Sequence, residues 1–299
     1  LAAGLFALGC DDYIFAGLLP GIASSFRSSI AGVAQGISIY GVTFVGALPV
    51  CAYLLTKKST EKVLLLALAV FVAGNLMTLL SPSLGIYILG RAVVGLGAGL
   101  FLPLAIATAG ERVDDKMKGR ALSFAWGANV AGAVVGIPAG LWLAEKTNWR
   151  MSVGFILFMS MVAFVGLASR NLNLKAFAPP TLREQVGLLG DRGVMSVVGI
   201  TFVIATSGLG LYVYTTSILA GSVTSPTQAL SLWNTGGLIG SMAVGYLLDR
   251  MRNQQTLMLM ILSTLVGVFL LIPVLRSIPF FGLLPFAFWG ALGWSTVTP

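Results

Sequence analysis

The sequence predicts an all-α, polytopic membrane protein with about ten spanning helices, and three observations carry that expectation. Composition is the first: 57% of the 299 residues are hydrophobic, 9% are charged and mean hydropathy is +0.94. Soluble domains carry about 25% charged residues, so this chain lacks the polar side chains that a water-facing surface of its size requires. Apolar runs are the second, because stretches of about 20 residues, enough to cross a bilayer as a helix, recur along the whole chain. The third is that the connections alternate between rich and poor in basic residues.

The runs are 1–25, 33–55, 62–81, 84–108, 119–144 and 149–169, then 194–219, 227–249, 254–274 and 279–299. The 37 glycines are many for soluble helices, but membrane helices use small residues to pack closely. Lys57, Lys58 and Lys62 follow the second run, and Arg112, Lys116, Lys118 and Arg120 follow the fourth. Arg170, Lys175, Arg183 and Arg192 follow the sixth, and Arg250 and Arg252 the eighth. Thirteen basic residues thus fall on one side, against Arg27, Lys146, Arg150 and Arg276 on the other. That bias places the N-terminus on the cytoplasmic side of a membrane that the chain crosses many times. The net charge of +8 is then an orientation signal, and no nucleic-acid partner is expected.

The longest connection, 170–193, carries Pro179-Pro180 and divides the chain into a six-helix bundle at 1–169, a cytoplasmic linker and a second bundle at 194–299. The chain opens on Leu1 without methionine and stops at Pro299 inside an apolar run. Two six-helix bundles are therefore expected, the second lacking its last two helices.

Charges inside apolar runs point to function. An ionised carboxylate at the bilayer centre costs about 2.5–3.5 kcal/mol on insertion scales, and the first run holds two, Asp11 and Asp12. Adjacent residues point about 100° apart on a helix, so only one can aim squarely at a given cavity. Arg91, inside the fourth run, remains charged and needs an acceptor, for which Asp11 and Asp12 are the candidates. The chain has no histidine, and Cys10 and Cys51 stand far apart in apolar runs. No metal site, Walker A sequence or Ser-His arrangement can be built, so neither a cofactor nor an enzyme is expected.

Four stretches carry a family pattern. The first helix reads Gly9-Cys10-Asp11-Asp12-Tyr13, followed by Gly17-Leu18-Leu19-Pro20. The fourth has Gly90-Arg91 ahead of Gly95, Gly97 and Gly99. The fifth has Gly127, Gly132, Gly136, Pro138 and Gly140, and Gly236, Gly240 and Gly245 offer a matching smooth face on the eighth. The loop after the eighth reads Gly245-Tyr246-Leu247-Leu248-Asp249-Arg250, whereas its counterpart after the second has Thr56 in place of the aspartate. These stretches resemble the Major Facilitator Superfamily, in particular bacterial drug and sugar efflux antiporters of the arabinose-efflux type.

The resemblance implies two helix bundles that alternate access to a midplane cavity and export small molecules against an inward proton flow. Asp12 falls on the family's acidic position, with Asp11 and Arg91 beside it as the rest of the proton-coupling set. Gly127, Gly132, Gly136, Pro138, Gly140, Gly245, Asp249 and Arg250 would serve the conformational change. Tyr13, Gln35, Asn129, Tyr212, Trp233 and Asn234 are candidates for the cavity wall, suited to amphipathic or cationic molecules, sugars or metabolites. The partners implied are substrate, protons and the lipid bilayer, with the protein working as a monomer. Two alternatives stay open: a proton-coupled importer on the same fold, and a membrane sensor or scaffold.

Overall fold

Local capping fixes where the helices begin. Ser29 accepts the Gly32 N–H at 3.0 Å, and so α2 starts three residues before the expected boundary. Asn148 does the same for Arg150 at 2.9 Å, and Asp191 for Gly193 at 2.7 Å. In the computed structural model α1 is Ala2–Phe26, α2 Ile30–Lys57, α3 Thr60–Leu79, α4 Leu84–Glu111, α5 Lys118–Lys146 and α6 Trp149–Ala168. Farther along, α7 is Arg192–Val213, followed by a helical turn at Thr215–Ile218, and α8 is Pro226–Arg250. Residues 266–272 form α9, and a 3₁₀ turn at Phe281–Leu283 leads into α10, Leu284–Ser295. The structure describes residues 1–111, 118–169, 187, 190–221, 225–250, 264, 266–272 and 281–295, with no strand among them.

The seventh helix departs from expectation. The run 194–219 reads as one span, but the helix breaks at Tyr214 (φ −94°, ψ 6°). Two β-branched residues follow, and the Thr215 hydroxyl bonds back to the Leu211 carbonyl at 3.1 Å. Such back-bonding competes with the helix ladder and bends it.

Each of α1–α6 contains a stretch long and apolar enough to span a membrane. The chain forms two compact units, Leu1–Leu189 and Gly190–Pro299. In the first, α1 packs on α5 and α6, α3 on α4 and α6, and α2 on α4. Large apolar side chains such as Val42, Val45, Phe158 and Val165 stand on its outside, while Asp11, Asn75, Arg91 and Ser152 are buried. That inversion of the soluble pattern suits a lipid surround.

Glycines set the helix separations, since in lipid close packing replaces the hydrophobic drive. A Cβ on Gly132 would overlap the Phe6 carbonyl of α1, one on Gly136 the Cys10 side chain, and one on Gly9 the Asn129 carbonyl of α5. On α4, Gly95 and Gly99 lie against the α2 backbone at Tyr40 and Phe44, while Gly90 and Gly97 lie against Thr78 and Phe71 of α3. In the second unit Gly236 and Gly240 of α8 lie against Ala287 and Ala291 of α10. Gly132, Gly136 and Gly140 of α5 thus lie against α1, and Gly236 and Gly240 of α8 against α10. Gly127 differs, with open space around it among the described residues.

One end of the first unit is fastened by α6. Arg150 donates to the carbonyls of Leu79 and Ser81 at the end of α3, its guanidinium 4.5 Å from the Trp149 ring centre. Trp149 Nε1 donates to Ser25 Oγ at 2.9 Å, bringing α1 into the same cluster. Arg150→Gln removes a cation from orphan helix-terminal carbonyls. Its expected cost is on the order of 1–2 kcal/mol, read as a lowered Tm of the detergent-purified protein, with Arg150→Lys recovering part.

Candidate functional site

Asp11 and Asp12 follow Gly9, where α1 meets α5 at backbone distance and a Cβ would overlap the Asn129 carbonyl. Asp11 is 0% exposed and turns toward α4, where Arg91 is 1% exposed. Arg91 Nη1 sits 3.0 Å from Asp11 Oδ1 and 2.9 Å from Oδ2, one nitrogen bridging both oxygens. At 1.5 Å per residue the pair lies about 10 Å inside α4 and about 14 Å inside α1. Both side chains are buried and spend their charge on each other. The guanidinium lies 3.8 Å from the Phe15 ring centre and 4.7 Å from that of Tyr40, a contact worth about 2 kcal/mol when desolvated.

Asp12 points elsewhere and is only partly buried. Its Oδ1 accepts the hydroxyl of Tyr40, from α2. Asn129 of α5 stands beside it, with Nδ2 donating to the Leu5 carbonyl at 3.2 Å. The two neighbouring acids therefore have unlike partners, a fixed cation for Asp11 and neutral donors for Asp12.

A second group of aromatic and polar side chains extends from Arg91 along α4. Tyr87, one turn away, is fully buried, with ring centres 6.3 Å from Phe15, 6.0 Å from Phe26 and 6.2 Å from Trp149. Its hydroxyl and Arg91 Nε find no hydrogen-bond partner among the described residues.

The structure brings Asp11, Asp12, Arg91 and Asn129 together, with Tyr13 next in line on α1. Gln35 is exposed on α2, more than one turn from Tyr40. Tyr212, Trp233 and Asn234 belong to the second unit and are buried there. Tyr212 and Trp233 have ring centres 4.4 Å apart, Trp289 is 5.6 Å from Trp233, and Asn234 bonds back to Leu230 of its own helix. Pro138 and Gly140 lie on α5, Gly140 against Ile14. Gly245, Asp249 and Arg250 close α8, but their side chains lie outside the described residues.

Sequence reasoning missed Tyr40. A tyrosine in an apolar run is ordinary, and the one available signal was its position in the helix that returns beside α1, eleven residues in, near the depth of Asp12.

Known proteins agree with this architecture. The family described as Major Facilitator Superfamily matches residues 1–299. The inner membrane transport protein YdhP of Escherichia coli O157:H7 is 28% identical, covering 100% of this chain and 77% of its own length. The uncharacterized MFS-type transporter YbcL of Bacillus subtilis is 26% identical, covering 84% of this chain, which spans 65% of that protein. Among solved structures, the partially occluded inward-open xylose transporter XylE of E. coli superposes with a TM-score of 0.75 at 13% identity, covering 99% of this chain and 84% of that one.

Proposed function

Because the chain belongs to the Major Facilitator Superfamily, and is thus a multi-pass membrane transporter of small molecules and not an enzyme, we propose that it is a proton-coupled exporter of the cytoplasmic membrane with its N-terminus inside. The observation that carries this reading is the pair of adjacent acids on α1, one tied to Arg91 and the other to Tyr40. Asp11 and Arg91 cancel each other and hold α1 against α4. Asp12 gains a proton when the site faces outward and releases its substrate. Facing inward, it loses the proton to the cytoplasm and accepts substrate again, as the two bundles rock about a midplane cavity. Each proton moved inward supplies about 2.3 kcal/mol per 100 mV, which supports roughly fiftyfold accumulation of a neutral substrate.

Export is favoured over import by the Gly136-Ile137-Pro138 pattern of α5. The inner-membrane location given in the name of YdhP supports the same compartment. Amphipathic cations, sugars and metabolites remain the candidate substrates.

The test is uptake driven by a pH gradient into everted membrane vesicles, with planar organic cations and pentoses as probes. Asp12→Asn should lower accumulation by at least about tenfold, equivalent to roughly 1.4 kcal/mol of lost coupling, and Asp12→Glu should keep part of it. Undiminished accumulation by Asp12→Asn would remove Asp12 from the mechanism. Accumulation only in right-side-out vesicles would make the protein an importer.

A further inference from the structure

Tyr40 makes two contacts that no packing role requires. Its hydroxyl donates to Asp12 on α1, while its ring lies 4.7 Å from the guanidinium of Arg91 on α4. It thereby touches both acid-centred groups of the site, directly through Asp12 and through Arg91 to Asp11. Its backbone is also fixed. The Tyr40 carbonyl accepts from Thr43 Oγ1 at 3.1 Å and abuts Gly95 on α4, where a Cβ would overlap it. The ring is therefore carried on a backbone that cannot slide along α4, and its hydroxyl is directed across to α1.

We infer that Tyr40 is a charge-dependent latch between α1 and α2, closed while Asp12 is ionised and loosened when Asp12 takes up a proton. The inference rests on Asp12 being the proton carrier. With Asp12 ionised, the Tyr40 O–H donates to a carboxylate, a bond about twice as strong as one between neutral groups. When a proton arrives, an O–H bond forms on Asp12 Oδ2 and no bond in Tyr40 breaks. The tyrosine then donates to a neutral carbonyl oxygen, and the hold on α1 weakens. The groups around Asp12 are Asp11 and Tyr13 on α1, Tyr40 on α2, Arg91 on α4 and neutral Asn129 on α5. Among the described residues the Tyr40 hydroxyl joins Asp12 to α2, and through that bond α2 responds to its charge. Tyr40 here is a positioning residue and touches no substrate.

The test needs no substrate: infrared difference spectra of the purified protein in lipid, recorded through a pH titration. The wild type should show the carbonyl stretch of a carboxylic acid appearing on acidification. Asp12→Asn should lose that band. Tyr40→Phe keeps the ring over Arg91 and removes only the donor, so the band should persist and move to higher wavenumber. A second readout uses ring-labelled tyrosine in the wild type, whose signal should follow the same titration and vanish in Asp12→Asn. A band at the wild-type position in Tyr40→Phe, or a tyrosine signal independent of Asp12, would overturn the latch alone. A band that survives Asp12→Asn, or is absent from the wild type, would overturn the assignment of Asp12 as carrier, and the latch with it.

Discussion

Replacing Arg91 with methionine is expected to cost roughly 3–5 kcal/mol, because it leaves Asp11 buried and charged with no counter-ion. Asp11 is 0% exposed and its two oxygens share a single nitrogen of Arg91. No neighbouring cation can replace it among the described residues, since Arg150 is engaged with α3 carbonyls. The reciprocal change, Asp11→Leu, strands the guanidinium instead and should be nearly as harmful. Making both changes together should recover most of the loss, because swapping a buried pair for apolar side chains is often close to neutral. Arg91→Lys should fall between, as the bridging nitrogen does not need the guanidinium fork but the 3.8 Å contact with Phe15 does. Thermal unfolding of the four variants in detergent provides the measurement. A double variant no better than Arg91→Met would mean the pair is not what holds α1 to α4.

The second large effect is steric. Gly132→Leu should disrupt the first unit, since even the first carbon of the new side chain overlaps the Phe6 backbone carbonyl and approaches the Cys10 amide. A flexible side chain could turn aside; a backbone atom can yield only by driving α1 from α5. Overpacking typically costs about 1–3 kcal/mol, and an obstacle made of backbone puts this substitution at the upper end or beyond. Gly127→Leu, five residues earlier on the same helix, should leave folded yield unchanged, because that glycine faces open space among the described residues. Equal yields from the two variants would show that α1 and α5 do not meet at the separation described.

These contrasts show what could be read from sequence. The acids and Arg91 were legible because a charge in an apolar run has few explanations, and helices α1 to α6 because each apolar run is long and bounded by polar residues. The choice between Asp11 and Asp12 as partner of Arg91 was not legible, since it depends on how α1 is rotated against α4. Nor was the use of each glycine: spacing marks Gly127 and Gly132 alike, and only packing separates them. The break at Tyr214 escaped notice because Thr215 and Thr216 disfavour a helix only mildly, and the back-bond of Thr215 is a local competition. Tyr40 was hidden by its chemistry, being aromatic enough to pass as packing until its hydroxyl is seen against Asp12.

The glycine contacts have one more consequence. They lace α1 to α5, and α4 to both α2 and α3, at backbone distance, whereas Asp11 with Arg91 and Asp12 with Tyr40 bridge from α1 across to that second set. Variation in this protein should therefore obey two grammars. Along the laced seams a position accepts or refuses a residue on size alone, one site at a time. Across the polar bridge a change is tolerated only when its opposite number changes too, so those four residues should drift in couples or not at all.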